Sequence, residues 1–247
     1  ARAHIDLLRY EDATRELLAA LETDAAPARA VGMELERLVT DELAGDAVLA
    51  AVRKRVTNAQ NGSDAERLAL ARVLLAAGDR EGAASLLAGT EGAGVEVADL
   101  AQEAQFRGDN DLAESLYEMA LGMAMPQARR AEVALRLARL QRERGAWQGA
   151  LQTLEATPAL EAHPEALLMR AELLTERAHR LDEAREAWQQ LLACAGGDAR
   201  FVIAARRGMA DWLLASGRLD EAEQAYAELA GGEPAAQPWG DLPPLPP

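Results

Sequence analysis

Four pairs in this chain of 247 residues set a glycine five residues before an alanine between two helical patterns: Gly78 and Ala83, Gly108 and Ala113, Gly145 and Ala150, Gly217 and Ala222. Each pair sits between two apolar-periodic stretches. The glycine ends one helix, a short polar turn follows, and the small residue lies deep in the next helix. That is a helical hairpin, and its repetition predicts stacked helix pairs rather than a globule around one closed core.

Composition agrees. Hydrophobic residues make up 49% of the chain but aromatics only 4%, so alanine and leucine must supply most of the core. Both are strong helix formers, and strand-forming runs are scarce, so the expected class is all-α. The net charge is −15, from 41 acidic and 26 basic residues, and Lys54 is the only lysine. That balance argues against nucleic acid and anionic membrane surfaces as partners. No apolar run is long enough to span a bilayer, so no direct membrane insertion is expected. Cys194 is alone, which excludes a disulfide framework and a cysteine zinc site. The chain opens on Ala1 in helical pattern, which reads as a piece of a longer, GC-rich bacterial protein.

Helix boundaries are marked by caps. Ser63-Asp64-Ala65-Glu66 reads as a capping box, with Glu66 reaching back to the cap. The spacing predicts helices over 3–21, 28–43, 47–58, 64–77, 80–88, 95–107, 111–123, 127–144, 147–156, 164–178, 181–195, 198–216 and 219–230. Residues 89–94 read as a glycine-rich connector. Beyond Gly231, a segment with prolines at 234, 238, 243, 244, 246 and 247 is expected to be extended or polyproline II. Trp239 in that segment reads either as folding back on the last hairpin or as a linear-motif anchor.

Seven residues before each hairpin glycine stands another alanine: Ala71, Ala101, Ala138 and Ala210. These small residues let paired helices approach to about 8–9 Å. Four residues after each second alanine comes a large side chain: Leu87, Tyr117, Leu154 and Tyr226. Each shares a helix face with its alanine and fills the gap toward the next hairpin. Trp188 stands at the same place, and Trp147 and Trp212 read as packing residues too. Ala83, Ala113, Ala150, Ala184 and Ala222 recur at intervals of 30, 37, 34 and 38. This pattern resembles the tetratricopeptide repeat. The resemblance covers residues 1–231, with Ala13, Leu17 and Ala20 in a partial first copy and Ala47 in a degenerate second one. The fifth hairpin departs from it, since His179 stands in the glycine position, although Leu-Asp-Glu-Ala at 181–184 matches the same four residues at 219–222. The resemblance implies a right-handed α-solenoid of six to seven helix pairs, with 232–247 as a proline-rich tail.

No catalytic constellation emerges. His4, His163 and His179 lie far apart and read as exposed turn histidines, and Cys194 as a small core hydrophobe. Gly89-Thr-Glu-Gly-Ala-Gly lacks the lysine and hydroxyl of a phosphate loop. Glu34 with Glu36, and Glu172 with Glu176, fit an acidic helix surface better than acid–base chemistry. No catalytic residue, cofactor or metal is expected.

The resemblance also implies a ligand groove lined by the first helix of each pair. Carried over position by position, the groove holds Leu68, Arg72 and Leu75, then Gln102, Gln105 and Phe106. Leu135, Arg139 and Arg142 follow, then Leu168, Glu172 and Glu176, and last Arg207 and Asp211. Arg72, Arg139 and Arg142 would form an arginine patch suited to carboxylates. The lysine–asparagine clamp that some family members use for chaperone tails is absent: Leu68 with Arg72, and Ala98 with Gln102, stand there instead. The expected function is a non-catalytic scaffold that binds a partner protein or peptide. By family analogy it would serve export or assembly in the bacterial periplasm or cell envelope rather than the cytoplasm. The alternative is a regulatory or substrate-presenting domain attached to an enzyme or pore.

Overall fold

The hairpin glycines take a backbone conformation that other residues resist. In the computed structural model of the chain, which describes residues 9–22, 27–59, 62–88, 90 and 93–231, Gly78, Gly108, Gly145 and Gly217 have φ of 79°, 81°, 78° and 78°. A left-handed residue after a helix turns the chain and lets the next amide reach back to an orphan carbonyl. Thus the N–H of Asp79 donates to Leu74 O at 2.8 Å, Asp109 to Ala104 at 3.0 Å, Ala146 to Gln141 at 2.8 Å and Arg218 to Leu213 at 2.9 Å.

Thirteen helices and no strands occur among the described residues. In the first unit, Ala1–Met125, these are α1 (Tyr10–Glu22), α2 (Ala28–Val39), α3 (Gly45–Ala59), α4 (Asp64–Ala76), α5 (Arg80–Leu87), α6 (Gly94–Phe106) and α7 (Asn110–Gly122). In the second, Pro126–Pro247, they are α8 (Gln127–Glu143), α9 (Trp147–Glu155), α10 (Pro164–Leu173), α11 (Leu181–Cys194), α12 (Ala199–Ala215) and α13 (Leu219–Gly231). The pairs α4–α5 and α6–α7, and then α8–α9, α10–α11 and α12–α13, are antiparallel hairpins. The two helices of each hairpin pack on each other, and α2 also packs on α4, α4 on α6, and α10 on α12. This is an all-α structure compatible with a helical repeat.

The expected seam of small residues is closed. Ala71, Ala101, Ala138 and Ala210 are fully buried, as are Ala83, Ala113, Ala150 and Ala184, with Ala222 nearly so. Where α2 meets α4 the approach is closer still: a Cβ on Gly32 would stand 3.0 Å from Ala69 Cα. The large side chains four residues on carry the stacking. Tyr117 is buried with its hydroxyl donating to Gln105 Oε1 at 3.0 Å. Trp188 is buried, and its indole N–H donates to Thr175 Oγ1 at 3.1 Å. The Trp188 ring lies over Gly208 of α12, where a Cβ would stand 2.3 Å from the ring.

The hairpin turns are also tied outward. Asp79 and Asp109 cap α5 and α7 by accepting from Gly82 N and Leu112 N. The same carboxylates accept from arginines of the preceding hairpin, Arg53 to Asp79 at 2.7 Å and Arg80 to Asp109 at 2.8 Å. The Arg53 guanidinium, helped by the Gly82 amide, holds the Asp79 carboxyl below its ordinary pKa.

The fifth hairpin solves the missing glycine in an instructive way. His179 adopts φ 51°, the only positive φ among the described non-glycine residues. One extra residue precedes it, absorbed by a π-turn over Leu174–Ala178. The amide of Arg180 therefore reaches six residues back, to Leu174 O at 3.1 Å, where the other hairpins reach five. Ala171, eight residues before His179, is the fully buried seam residue.

Several expectations need correction. Ala47 is exposed; the seam residue of α3 is Val48, because Asp41 caps the preceding turn and shifts the helix start. The capping box is half made. Ser63 accepts from Glu66 N, but the Glu66 carboxylate turns to Arg55. Cys194 is exposed at the end of α11 rather than in the core. His163 is half-buried, and Trp147 is only half-buried beside the fully buried Trp212. His4, Trp239 and the expected proline-rich tail lie outside the described residues.

Two substitutions test this packing. An exposed helical Gly→Ala exchange normally stabilises by about 1 kcal/mol, but Gly208→Ala should destabilise by about 1–3 kcal/mol through the clash with Trp188. Thermal melts should show the loss cancelled in a Trp188→Leu background. His179→Gly should stabilise by about 1 kcal/mol by relieving the left-handed backbone; an unchanged denaturation midpoint would mean that the π-turn, not the side chain, sets that conformation.

Candidate functional site

The first helices of the pairs in the first unit, α2, α4 and α6, lie side by side and enclose a cleft of ≈ 350 Å³. Helix α4 supplies its floor with Ala65, Leu68, Ala69 and Arg72. Pro27, Ala28 and Arg29 of α2 form one wall, and Glu96, Asp99 and Leu100 of α6 the other. The spacing explains the floor: 65, 68, 69 and 72 recur at three and four residues, so they share one helix face. The cleft is thus an apolar trough with charged groups at its rim.

One end is closed by alternating charges. Arg72, whose side chain is 11% exposed, donates to Glu36 Oε2 of α2 at 3.1 Å and to Glu103 Oε1 of α6 at 3.0 Å. Arg107 of α6 reaches Glu36 at 2.6 Å, and Arg29 of α2 approaches Glu103 to 4.0 Å. Three arginines and two glutamates therefore tie α2 to both α4 and α6. Burial opposes the charge on Arg72, but the hydrogen bonds it donates to Glu103 and Glu36 outweigh it and raise its pKa.

The second unit repeats the motif in smaller form. Arg139 and Arg142 of α8 pair with Glu165 and Glu172 of α10, the second at 3.0 Å. Arginine on one first helix, carboxylate on the next, holds adjacent hairpins in line.

The expected groove residues fall into four groups. Arg72, Arg139, Arg142 and Glu172 are committed to these inter-helix pairs, Arg72 in the first unit and the others in the second. Gln105 accepts from Tyr117, and Asp211 accepts from the Tyr226 hydroxyl, whose pKa that bond pushes up to about 12. Leu75 and Leu135 are buried. Phe106, at 82% exposed, and Arg207 stand out in solvent, and Gln102, Leu168 and Leu68 are partly exposed. Missing from the expectation are Arg29, Glu36 and Glu103, which complete the charge chain, and Glu96 and Asp99 of the rim. The offset of three or four residues was a usable signal in α6. In α2 it was not, because the first hairpin lacks the glycine that fixes position.

Among the described residues, no group of three or more His, Cys, Asp and Glu could hold a metal ion, and no helix is long and apolar enough to cross a membrane. No protein-family model matches the sequence, and no curated protein matches it.

Glu172 offers a test of the ion-pair face. Burial raises its pKa, Arg142 lowers it, Glu176 raises it, and the first of these dominates. Between the ordinary and the raised value, the folded chain holds a proton that the unfolded chain has lost. The contribution of Glu172 to stability is therefore present at acid pH and lost as pH rises through its folded pKa. Glu172→Gln should match the parent at pH 4 and equal or exceed it at pH 7 in thermal melts. A variant less stable at pH 7 would show that the Arg142 pair outweighs burial.

Proposed function

We propose that this chain is a non-catalytic scaffold, a tetratricopeptide-like α-solenoid that holds an extended peptide segment of a partner protein against the first helices of its hairpins. The observation that carries this reading is the α2–α4–α6 cleft. It is apolar at its floor and charged at its rim, as peptide-binding troughs are. Leu68, partly exposed on the floor, offers contact area to an apolar anchor. Arg29 on one wall and Glu96 on the other put both signs of charge at the rim. The resemblance in the hairpin pattern supports the same face.

The arginines at its closed end are occupied by carboxylates of neighbouring helices. They support the trough as struts, and this removes the reason to expect an acidic ligand in particular. The cleft depends on these struts for its width.

A photo-crosslinking residue replacing Leu68 tests the reading in cells of the native host. It should trap a discrete partner band, whereas the same residue at Ser115, exposed on α7, should not. An Arg72→Met exchange that preserves folding should reduce the yield severalfold. Equal yields at positions 68 and 115 would overturn the assignment of the cleft.

A further inference from the structure

The charge chain at the end of the first-unit cleft contains two kinds of tie. Arg72 joins α4 to α2 through Glu36 and to α6 through Glu103, and α4 packs directly on both of those helices. The other two ties skip a helix. Arg107 of α6 reaches Glu36 of α2 at 2.6 Å, and Arg29 of α2 approaches Glu103 of α6 to 4.0 Å. Both run from wall to wall of the cleft, while α4 forms its floor.

The two kinds differ in exposure. The Arg72 side chain is 11% exposed, but that of Arg107 is 47% and that of Arg29 72%. An ion pair with one partner largely in water contributes little and is screened by salt. Losing the outer arginines strands no carboxylate either, because Glu36 and Glu103 both keep Arg72. The Arg72 bonds are thus the fixed part of the chain, and the outer arginines the exchangeable part.

The apolar neighbours of the outer ties do not close over them. Met33 lies one turn from both Arg29 and Glu36 on α2, and Phe106 stands between Glu103 and Arg107 on α6. They are 54% and 82% exposed. If the walls packed against each other here, these side chains would be covered. Across the cleft, α2 is held to α6 by charge.

We propose that the Arg29–Glu103 and Arg107–Glu36 ties form a clasp across the cleft that opens to admit the partner segment. Arg72 keeps both walls attached to the floor while the clasp opens. Arg29 couples the clasp to the site, since it is also part of the cleft wall. The gating role rests on the peptide-binding reading of the cleft; the ionic control of its width does not.

Spin labels on Met33→Cys and Phe106→Cys, in a chain that also carries Cys194→Ser, measure the wall-to-wall distance without any ligand. Raising sodium chloride from about 0.05 M to about 1 M, where the screening length falls to about 3 Å, should lengthen and broaden that distance. Arg29→Gln together with Arg107→Gln should give the open distribution at low salt, and salt should then change it little. Arg37→Gln, which breaks an ion pair within α2, should behave like the parent. A distance that ignores both salt and the double exchange would overturn the clasp, since packing on α4 would then set the width. In cells, the double exchange should raise crosslinking at position 68 severalfold, the opposite of Arg72→Met. A distance that widens while this yield stays level or falls would overturn the gate. No crosslink at position 68 in either chain would sink the peptide-binding reading and the gate with it, whereas a salt-dependent distance would still establish the clasp.

Discussion

Each helix pair depends on the closeness that an alanine methyl permits. Two helices whose contact residues are alanine can approach until their backbones nearly touch, and the larger side chains one turn away must then point outward toward the next pair. The fully buried alanines of α4 to α13 hold that spacing, and Tyr117 and Trp188 use it. Gly208 shows the tolerance: Trp188 fits only because α12 has no side chain where the ring lands. A seam this close transmits any added volume directly into the stack, since the interior has no slack to absorb it.

Charge works at a different level. The pairs that join Arg53 to Asp79, Arg80 to Asp109, and Arg142 to Glu172 link one hairpin to the next through groups that are largely solvated. Each contributes little by itself. Their value is positional, because a guanidinium fork accepts a carboxylate in few geometries and so fixes how neighbouring hairpins align. Arg72 is the exception in strength. It is mostly buried and shared by two glutamates, so its loss would leave Glu36 to Arg107 alone and Glu103 with only the more distant Arg29.

Much of this was legible in the sequence, and the reasons are local. Gly78, Gly108, Gly145 and Gly217 declared their turns because a left-handed residue is nearly free only for glycine. Seven residues back and five forward, the alanines gave both helix faces. His179 was readable as an exception but not as a solution. That one inserted residue would form a π-turn, moving the seam from position 172 to Ala171, depends on where α10 is pinned by its neighbours. Ala47 misled for a similar reason: Gly45 opens α3 instead of making a left-handed turn, and Asp41 caps the turn before it. Glu66 was assigned to its own helix terminus and went to Arg55 instead, a competition between a local and a non-local partner that a linear reading cannot weigh.

The sequence by itself determined the helices, their pairing and the small-residue seam, because each follows from backbone preference and from periodicity within a few residues. Only the tertiary structure decided which side chains meet across hairpins. Glu36 and Arg107 are 71 residues apart, yet both belong to the charge chain that closes the cleft. Arginines that a linear reading left free for a ligand are held by carboxylates of the next first helix. Contacts between hairpins depend on how far each pair is rotated against the last, and that rotation is set by packing volumes summed over whole helices, not by any motif along the chain.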